Sequence, residues 1–406
     1  MKYLVLVPDG MADYPVPQLN NQTPLQASRT PYFDQLASQG TVGLVQTIPP
    51  GMSPGSDVAN LAVLGYNPKI YYTGRSPLEA ASIGVELQPT DVTLRCNLVT
   101  LSDESEYSAK TMLDYSADEI TTAEAAELIT TLAKELNTEK LTFYSGTSYR
   151  HLLVWHDGLT ELKLTPPHDI SDQKITNYLP QGFGSELLQD LMLRSQAILA
   201  QHPINLQRIA RGLRLANSIW LWGQGTKPKL TSFTELYQVR GAVISAVDLA
   251  KGLGICAGLK VIEVAGATGN IHTNFRGKAE AALKVFRDGY DFVYLHYEAP
   301  DEAGHRGEVE NKVLSLEKID EVLGLILQEL PEIDPNFRIM LLPDHPTPLV
   351  LKTHTSDPVP FIIYDSKKAA SNYSVDSFNE QTASQTGLLI KEGHTLIQKL
   401  FEQNAC

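Results

Sequence analysis

Three short runs, KYLVLVP (2–8), DFVYLHY (291–297) and FRIMLLP (337–343), are apolar over nearly their whole length and lack the alternation of a strand with one wet face. Such runs are buried on both faces, as in a parallel sheet covered by helices. Each is followed by an acid: Asp9 directly after the first, Asp301 a few residues after the second, and Asp344 directly after the third. His345 adjoins Asp344, and His354 lies farther along the same MLLPDHPTPLVLKTHTSD stretch. Open α/β sheets build their sites at the carboxyl edge of the strands, so these side chains stand where ligands stand. Each also has an ordinary use: Asp9 before Gly10 and Asp344 suit turns, and His354 can be satisfied by hydrogen bonds.

A chain of 406 residues, 43% of them hydrophobic, can bury a large core and divide into two domains. It contains no 18-residue apolar run, and Met1-Lys2-Tyr3 leads straight into a strand rather than a signal peptide. A soluble, cytoplasmic protein without a membrane partner is expected. Cys96, Cys256 and Cys406 are an odd number without a CxxC pair, which argues for ordinary thiols over a disulfide frame or a zinc–thiolate site. The formal charge of −14 speaks against a nucleic-acid partner, and an anionic substrate would need metals or local Arg and Lys to hold it.

Between Pro49 and Tyr66, Gly51, Pro54 and Gly55 break regular structure and Val58, Leu61, Ala62 and Leu64 begin a helix, leaving Ser56 at its N-cap or first turn. A serine there caps well. The same position also puts a hydroxyl among free N–H groups that favour an alkoxide or a phosphate. From about Pro89 the organisation changes. Strands at 92–101, 151–156 and 218–223 and a helix at Thr122 to Leu136 read as an inserted α+β domain over 89–245, leaving 1–88 with 246–406 as a discontinuous sheet domain. Within the insert, Arg95, Arg150, His151 and His168 are candidate anion binders. The GQG turn at 223–225 lacks the setting of a dinucleotide motif, and no Walker A sequence occurs. Around Val239 to Leu253 (VRGAVISAVDLAKGL) a helix and then a strand at Leu259 to Val264 are expected, followed by a glycine-rich loop that places Lys278 near the start of a helix, within reach of a phosphate or of solvent. Asp301 and His305 share a face if one helical turn carries both.

Three carboxylates, three histidines and a serine converging on one sheet edge suit two divalent metal ions, a clamp for the entering and leaving oxygens of phosphoryl transfer. Crowded carboxylates repel, so such a cluster itself calls for cations. A non-catalytic protein with structural metals would have no use for the serine.

The motifs VPDGMAD, PPGMSPGSDVANLAVLGYNP, YYTGRSPLEAASIG, RCNLVT, SYRHLLVW, TPPHDI, WLWGQG, GATGNIHTN, EAPDEAGH, LPDHPTP and THTSDPVPF, in this order and over essentially the whole length, resemble the archaeal-type cofactor-independent phosphoglycerate mutases of the alkaline phosphatase superfamily. The resemblance implies an alkaline-phosphatase-like α/β fold, mostly a parallel sheet sandwiched by helices, with a smaller substrate-closing insert. It implies that Asp301, His305 and His354 hold one metal and Asp9, Ser56, Asp344 and His345 the other, usually Mn²⁺, with Mg²⁺, Co²⁺ or Zn²⁺ as substitutes. Ser56 would be phosphorylated in passing, Lys278 would contact phosphate, and 3- and 2-phosphoglycerate would be interconverted without 2,3-bisphosphoglycerate. Where the family segment reads like DTNYEGKA this chain has HTNFRGKA, so His272 and Arg276 replace acids. The WLWGQG, TPPHDI and HPTP variants resemble a bacterial subgroup proposed to act as homoserine kinases, which makes phosphotransfer or phosphohydrolysis on another small alcohol the alternative.

Overall fold

A computed structural model describes residues 1–368 and 370–402, so Cys406 lies outside the described residues. Its strands are β1 (Lys2–Pro8), β2 (Thr41–Val45), β3 (Val92–Leu101), β4 (Met112–Asp114), β5 (Leu141–Thr147), β6 (Arg150–Trp155), β7 (Ser218–Thr226), β8 (Gly241–Ile244), β9 (Lys260–Val261), β10 (Phe292–Tyr297), β11 (Phe337–Leu341), β12 (Val359–Asp365) and β13 (Leu389–Ile390). They form two sheets in two compact units, Met1–Tyr72 with Lys229–Cys406, and Thr73–Pro228.

The first unit holds an eight-stranded sheet, in the order β13-β2-β12-β11-β1-β10-β8-β9. At its centre β11, β1 and β10 run parallel in adjacent positions, so their carboxyl ends leave the sheet side by side. The three apolar runs are these three strands, and every residue of β10 and β11 is buried. Helices bury apolar stripes against the sheet. Pro31–Gln39 uses Phe33, Leu36 and Ala37, and Val309–Ile333 uses Leu316, Ile319, Leu323, Ile326 and Leu330. Burying a side chain of that kind stabilises the fold by about 1.5–3 kcal/mol, which is why the spacing of these residues sets which helix face turns inward. Among the described residues no helix is long and apolar enough to cross a membrane.

The second unit is antiparallel, in the order β4-β3-β6-β5 with β7 on the other side of β3, and its helices Thr122–Leu136 and Ser185–Leu199 contribute Leu128, Leu132, Leu188 and Met192 to its core.

The division falls at 72/73 and 228/229, not at 88/89 and 245/246. Upstream, Thr73 donates through Oγ1 to Thr226 O (2.6 Å), and Ser76 donates to Thr93 O (3.0 Å), tying the helix Ser76–Ser82 to β7 and β3. Downstream, the first part of the helix expected over Val239 to Leu253 is a strand: the four buried residues of β8 pair in parallel with β10, and the helix begins later, at Asp248–Cys256. The strand expected at Leu259 to Val264 shrinks to Lys260–Val261, because it is the sheet's edge and pairs on one side only.

One buried ion pair ties this scaffold together. Lys312, fully enclosed in the long helix, donates to Asp13 Oδ2 (2.7 Å) and to Thr347 O (2.7 Å), and Asp13 also accepts from Leu349 N. Removing one partner of such a pair leaves an uncompensated buried charge, at a cost of about 3–5 kcal/mol. Lys312→Met should therefore reduce the unfolding free energy by about that amount in urea titrations, and adding Asp13→Asn to the same chain should recover part of it. Strictly additive losses would show that the two groups are not coupled.

Candidate metal centre

Asp9, Asp301, Asp344 and His345 reach the same place because β1, β10 and β11 are neighbours. Directly past β1 the chain turns at Gly10, with φ +64°, and a Cβ there would lie 2.6 Å from Thr347 Oγ1 and 2.8 Å from Asp301 Cα. Only glycine lets the loop carrying Asp9 come so close. Past β10 the helix Ala299–Arg306 holds Asp301 and His305 one turn apart, as their spacing suggested. Past β11, Asp344 is oriented by three donors: Asn60 Nδ2 (2.8 Å), its neighbour His345 N (2.9 Å) and Gly10 N (3.3 Å).

Two overlapping donor groups result, Asp301–His305–His354 and Asp9–Asp301–His345. In the first, His305 Nε2 lies 3.3 Å from Asp301 Oδ2, His354 Nε2 lies 3.4 Å from Asp301 Oδ1, and the two imidazole nitrogens face each other at 2.9 Å. The His305 Nδ1 donates to Lys352 O (3.0 Å), so that in the neutral ring a metal requires the lone pair falls to Nε2. In the second, His345 Nε2 lies 3.6 Å from Asp9 Oδ1 and 3.3 Å from Asp344 Oδ2. Asp301 thus reaches both groups, where the resemblance assigned it to one.

Ser56 is the first residue of the helix Ser56–Val63, whose N-cap is Gly55. Its hydroxyl does not cap; Oγ lies 3.0 Å from His345 Nε2. The capping use open to it in the sequence is not the one the fold makes of it.

Electrostatics mark the cluster as incomplete on its own. Burial, with Asp344 and Asp301 alongside, pushes the Asp9 carboxyl well above the usual carboxylate range. Burial also raises Asp301, but hydrogen bonds from His305 and His354 outweigh it and hold the group well below that range. The bond to Asp301 in turn lifts His305 to about 9. Asp9 Oδ1 is buried and has no hydrogen-bond partner. A buried orphan oxygen, facing imidazole nitrogens and hard and borderline donors in one cluster fit divalent cations well.

Several supporting residues carry no motif signal. His296 Nε2 lies 2.9 Å from Asp9 Oδ2 and its Nδ1 3.1 Å from Ser245 Oγ, and burial lowers its pKa to about 4, so it is neutral. Asn60 Nδ2 also donates to Ser56 O (2.8 Å), and Tyr294 OH donates to Asn60 Oδ1. Tyr294 and His296 alternate along β10 and Asn60 follows Ser56 by one helical turn, the only hints the sequence contained. Lys278 is enclosed, not solvated: Nζ donates to His296 O (2.8 Å) over the Tyr297 ring, and burial lowers it to about 8. His272 and Arg276 are exposed, and Arg276 pairs with Glu280 (2.7 Å).

In the second unit the registers Arg95↔Trp222 and Asn97↔Arg150 put these residues on one face of its sheet. Arg95 lies 4.5 Å over the Trp222 ring and 3.0 Å from Glu79, and His168 meets Trp222 and Tyr115 edge-on. His151, paired with Cys96, faces the other way; it is buried, its Nδ1 accepts from Gly146 N, and burial lowers it to about 3. The fold brings Arg95, Arg150 and His168 together and leaves His151 apart.

A parallel sheet that presents clustered carboxylates and imidazoles beside a helix-opening serine is the framework of a metal-dependent phosphoryl-transfer enzyme. A family model described as 2,3-bisphosphoglycerate-independent phosphoglycerate mutase matches residues 37–205, and the protein of that name from Methanosarcina barkeri is 50% identical over 98% of both chains. The chain belongs to the family of 2,3-bisphosphoglycerate-independent phosphoglycerate mutases. Among solved structures it is similar to the PH0037 protein of Pyrococcus horikoshii (29% identity, TM-score 0.82, 98% and 96% of the two chains). It is similar as well to the cofactor-independent phosphoglycerate mutase of Thermoplasma acidophilum (26%, 0.66, 98% and 99%).

Replacing Asp9 by Asn removes one of three crowded carboxyls. The variant should melt at or above wild type in EDTA yet lose most of the rise in melting temperature that Mn²⁺ produces, as read by calorimetry. An undiminished Mn²⁺ response would remove Asp9 from the ligand set.

Proposed function

We propose that this protein interconverts 3-phosphoglycerate and 2-phosphoglycerate without 2,3-bisphosphoglycerate, by way of a phosphoserine at Ser56. The single observation that carries the reading is a hydroxyl at the start of a helix, not used as a cap, beside the buried cluster of Asp9, Asp344 and His345. The names of relatives that are half identical over the full length support glycerate as the acceptor, over another small alcohol or water.

Asp301, His305 and His354 would hold one divalent ion, and Asp9, Ser56, Asp344 and His345 the other, with Mn²⁺ as the proposed metal. Bound there, the ions supply Lewis-acid stabilisation of phosphoryl oxygens and lower the pKa of the serine hydroxyl. The chain's own part is positioning. Ser56 is presented at the helix start, where backbone N–H groups point at an incoming phosphate. As the Oγ–P bond forms and the bond from phosphorus to the glycerate oxygen breaks, Ser56 gives up its proton and the departing oxygen takes one up. The return step uses the other glycerate hydroxyl, with the same exchange reversed. Lys278, below His296, supplies positive potential to the site rather than a direct bond to phosphate in the arrangement seen. Arg95, Arg150 and His168 are proposed to hold the substrate carboxylate, Arg95 being pre-oriented by Glu79 and Trp222. A cytoplasmic, glycolytic setting is proposed with it.

Purified protein with Mn²⁺ and 3-phosphoglycerate, coupled to enolase, should form phosphoenolpyruvate with no 2,3-bisphosphoglycerate added. Ser56→Ala should lower the rate by at least about 10³-fold while Mn²⁺ content stays near wild type. Release of inorganic phosphate without phosphoenolpyruvate would replace the mutase by a hydrolase.

A further inference from the structure

We infer that Thr347 is a positioning residue of the metal centre, whose hydroxyl holds His345 as the Nδ1–H tautomer so that Nε2 turns its lone pair toward Asp9, Asp344 and Ser56. The inference rests on the metal-centre reading above and extends it to a side chain outside the donor set.

Thr347 is completely buried, and its Oγ1 meets two groups: it donates to Asp301 Oδ1 and lies 3.3 Å from His345 Nδ1. A hydroxyl has one proton to give, and a ligating carboxylate can only accept. The Thr347 proton is therefore committed to Asp301, and Oγ1 has only a lone pair left for the imidazole. His345 Nδ1 must then carry the hydrogen. In a neutral ring the lone pair falls to Nε2, the atom that lies 3.0 Å from Ser56 Oγ, 3.3 Å from Asp344 Oδ2 and 3.6 Å from Asp9 Oδ1. The opposite tautomer would aim an N–H at the place where a cation has to sit.

The hydroxyl can do this because Thr347 is held from several sides. Its N–H donates to Ala12 O (3.2 Å), and its carbonyl accepts from Lys312 Nζ (2.7 Å). Two glycines give it room: a Cβ on Gly10 would stand 2.6 Å from Oγ1, and one on Gly304 would stand 2.6 Å from the Thr347 carbonyl oxygen. The exit loop of β1, the helix that bears Asp301 and the long helix Val309–Ile333 all close on this one residue. Through it Asp301, common to both donor groups, is linked to His345, which stands beside the nucleophile.

A residue that merely fills space would respond to shape; a residue that sets a tautomer responds to loss of the hydroxyl. Thr347→Val keeps the branched shape and removes only the hydroxyl, whereas Thr347→Ser keeps the hydroxyl and removes the methyl. The metal-stripped full chain is titrated with Mn²⁺ by calorimetry, with bound Mn²⁺ counted by electron paramagnetic resonance. Wild type should take two ions per chain. Thr347→Val should bind one of them about 10- to 100-fold more weakly, while Thr347→Ser stays within a few-fold of wild type. Equal binding by wild type and Thr347→Val, or equal loss in Val and Ser, overturns the inference and leaves the metal centre standing. A wild type that binds fewer than two ions overturns both. Should Thr347→Val fail to fold, wild type with ¹⁵N-labelled histidine, loaded with Zn²⁺, decides by long-range ¹⁵N–¹H correlation. A protonated Nδ1 on His345 supports the assignment and a protonated Nε2 ends it.

Discussion

Three carboxylates share one buried place at the carboxyl edge of the sheet, and the rest of the architecture answers to their mutual repulsion. Two like charges about 4 Å apart repel by about 4 kcal/mol in a medium of effective dielectric about 20, before any cost of desolvation. Nearby imidazoles offset this for Asp301 but not for Asp9, whose second oxygen has no donor and whose pKa is driven up by burial and by its two acidic neighbours. A rigid scaffold that gathers such groups is strained until cations fill the gap between them. The same crowding favours divalent cations and, in the proposed reading, the phosphoryl oxygens that such ions would bind.

Rigidity comes from beneath and beside the ligands. Each carboxylate has a neutral partner that fixes one of its oxygens: His296 for Asp9, Thr347 for Asp301, Asn60 for Asp344. These partners arise from three different elements, so no single loop movement can release the cluster. Lys312 completes the frame by binding the carboxyl of Asp13 and the backbone of Thr347 at once, which locks the exit loop of β1 to the segment carrying His345. Ser56 stands at the border of this frame, at a helix start, where its hydroxyl is free of capping duty and faces His345.

The acids and imidazoles that cluster at the sheet edge could be read from the chain because an acid after an apolar run is conspicuous and the same arrangement recurs after three runs. Helices with a clear apolar stripe were equally legible: Thr122–Leu136 has the bounds its pattern suggested. Short elements were not. The four residues of β8 carry too little pattern to separate strand from helix, and their state is decided by pairing with β10. The boundary between the units was misplaced for a related reason, since Thr73 and Ser76 belong to the second unit through hydrogen bonds to β7 and β3 that local composition does not report.

By itself the sequence determined the parallel core, the acids and imidazoles at its edge and a serine at a helix start, since burial periodicity and side-chain chemistry are local properties written residue by residue. The tertiary structure alone decided that Asp301 lies within reach of both donor groups, that Lys278 points inward, that His151 turns away from Arg95, and that Thr347, Asn60 and His296 bond to Asp301, Asp344 and Asp9. Those are contacts between distant segments, set by strand order and by the few glycines that let backbones meet, and no local pattern encodes which segments become neighbours.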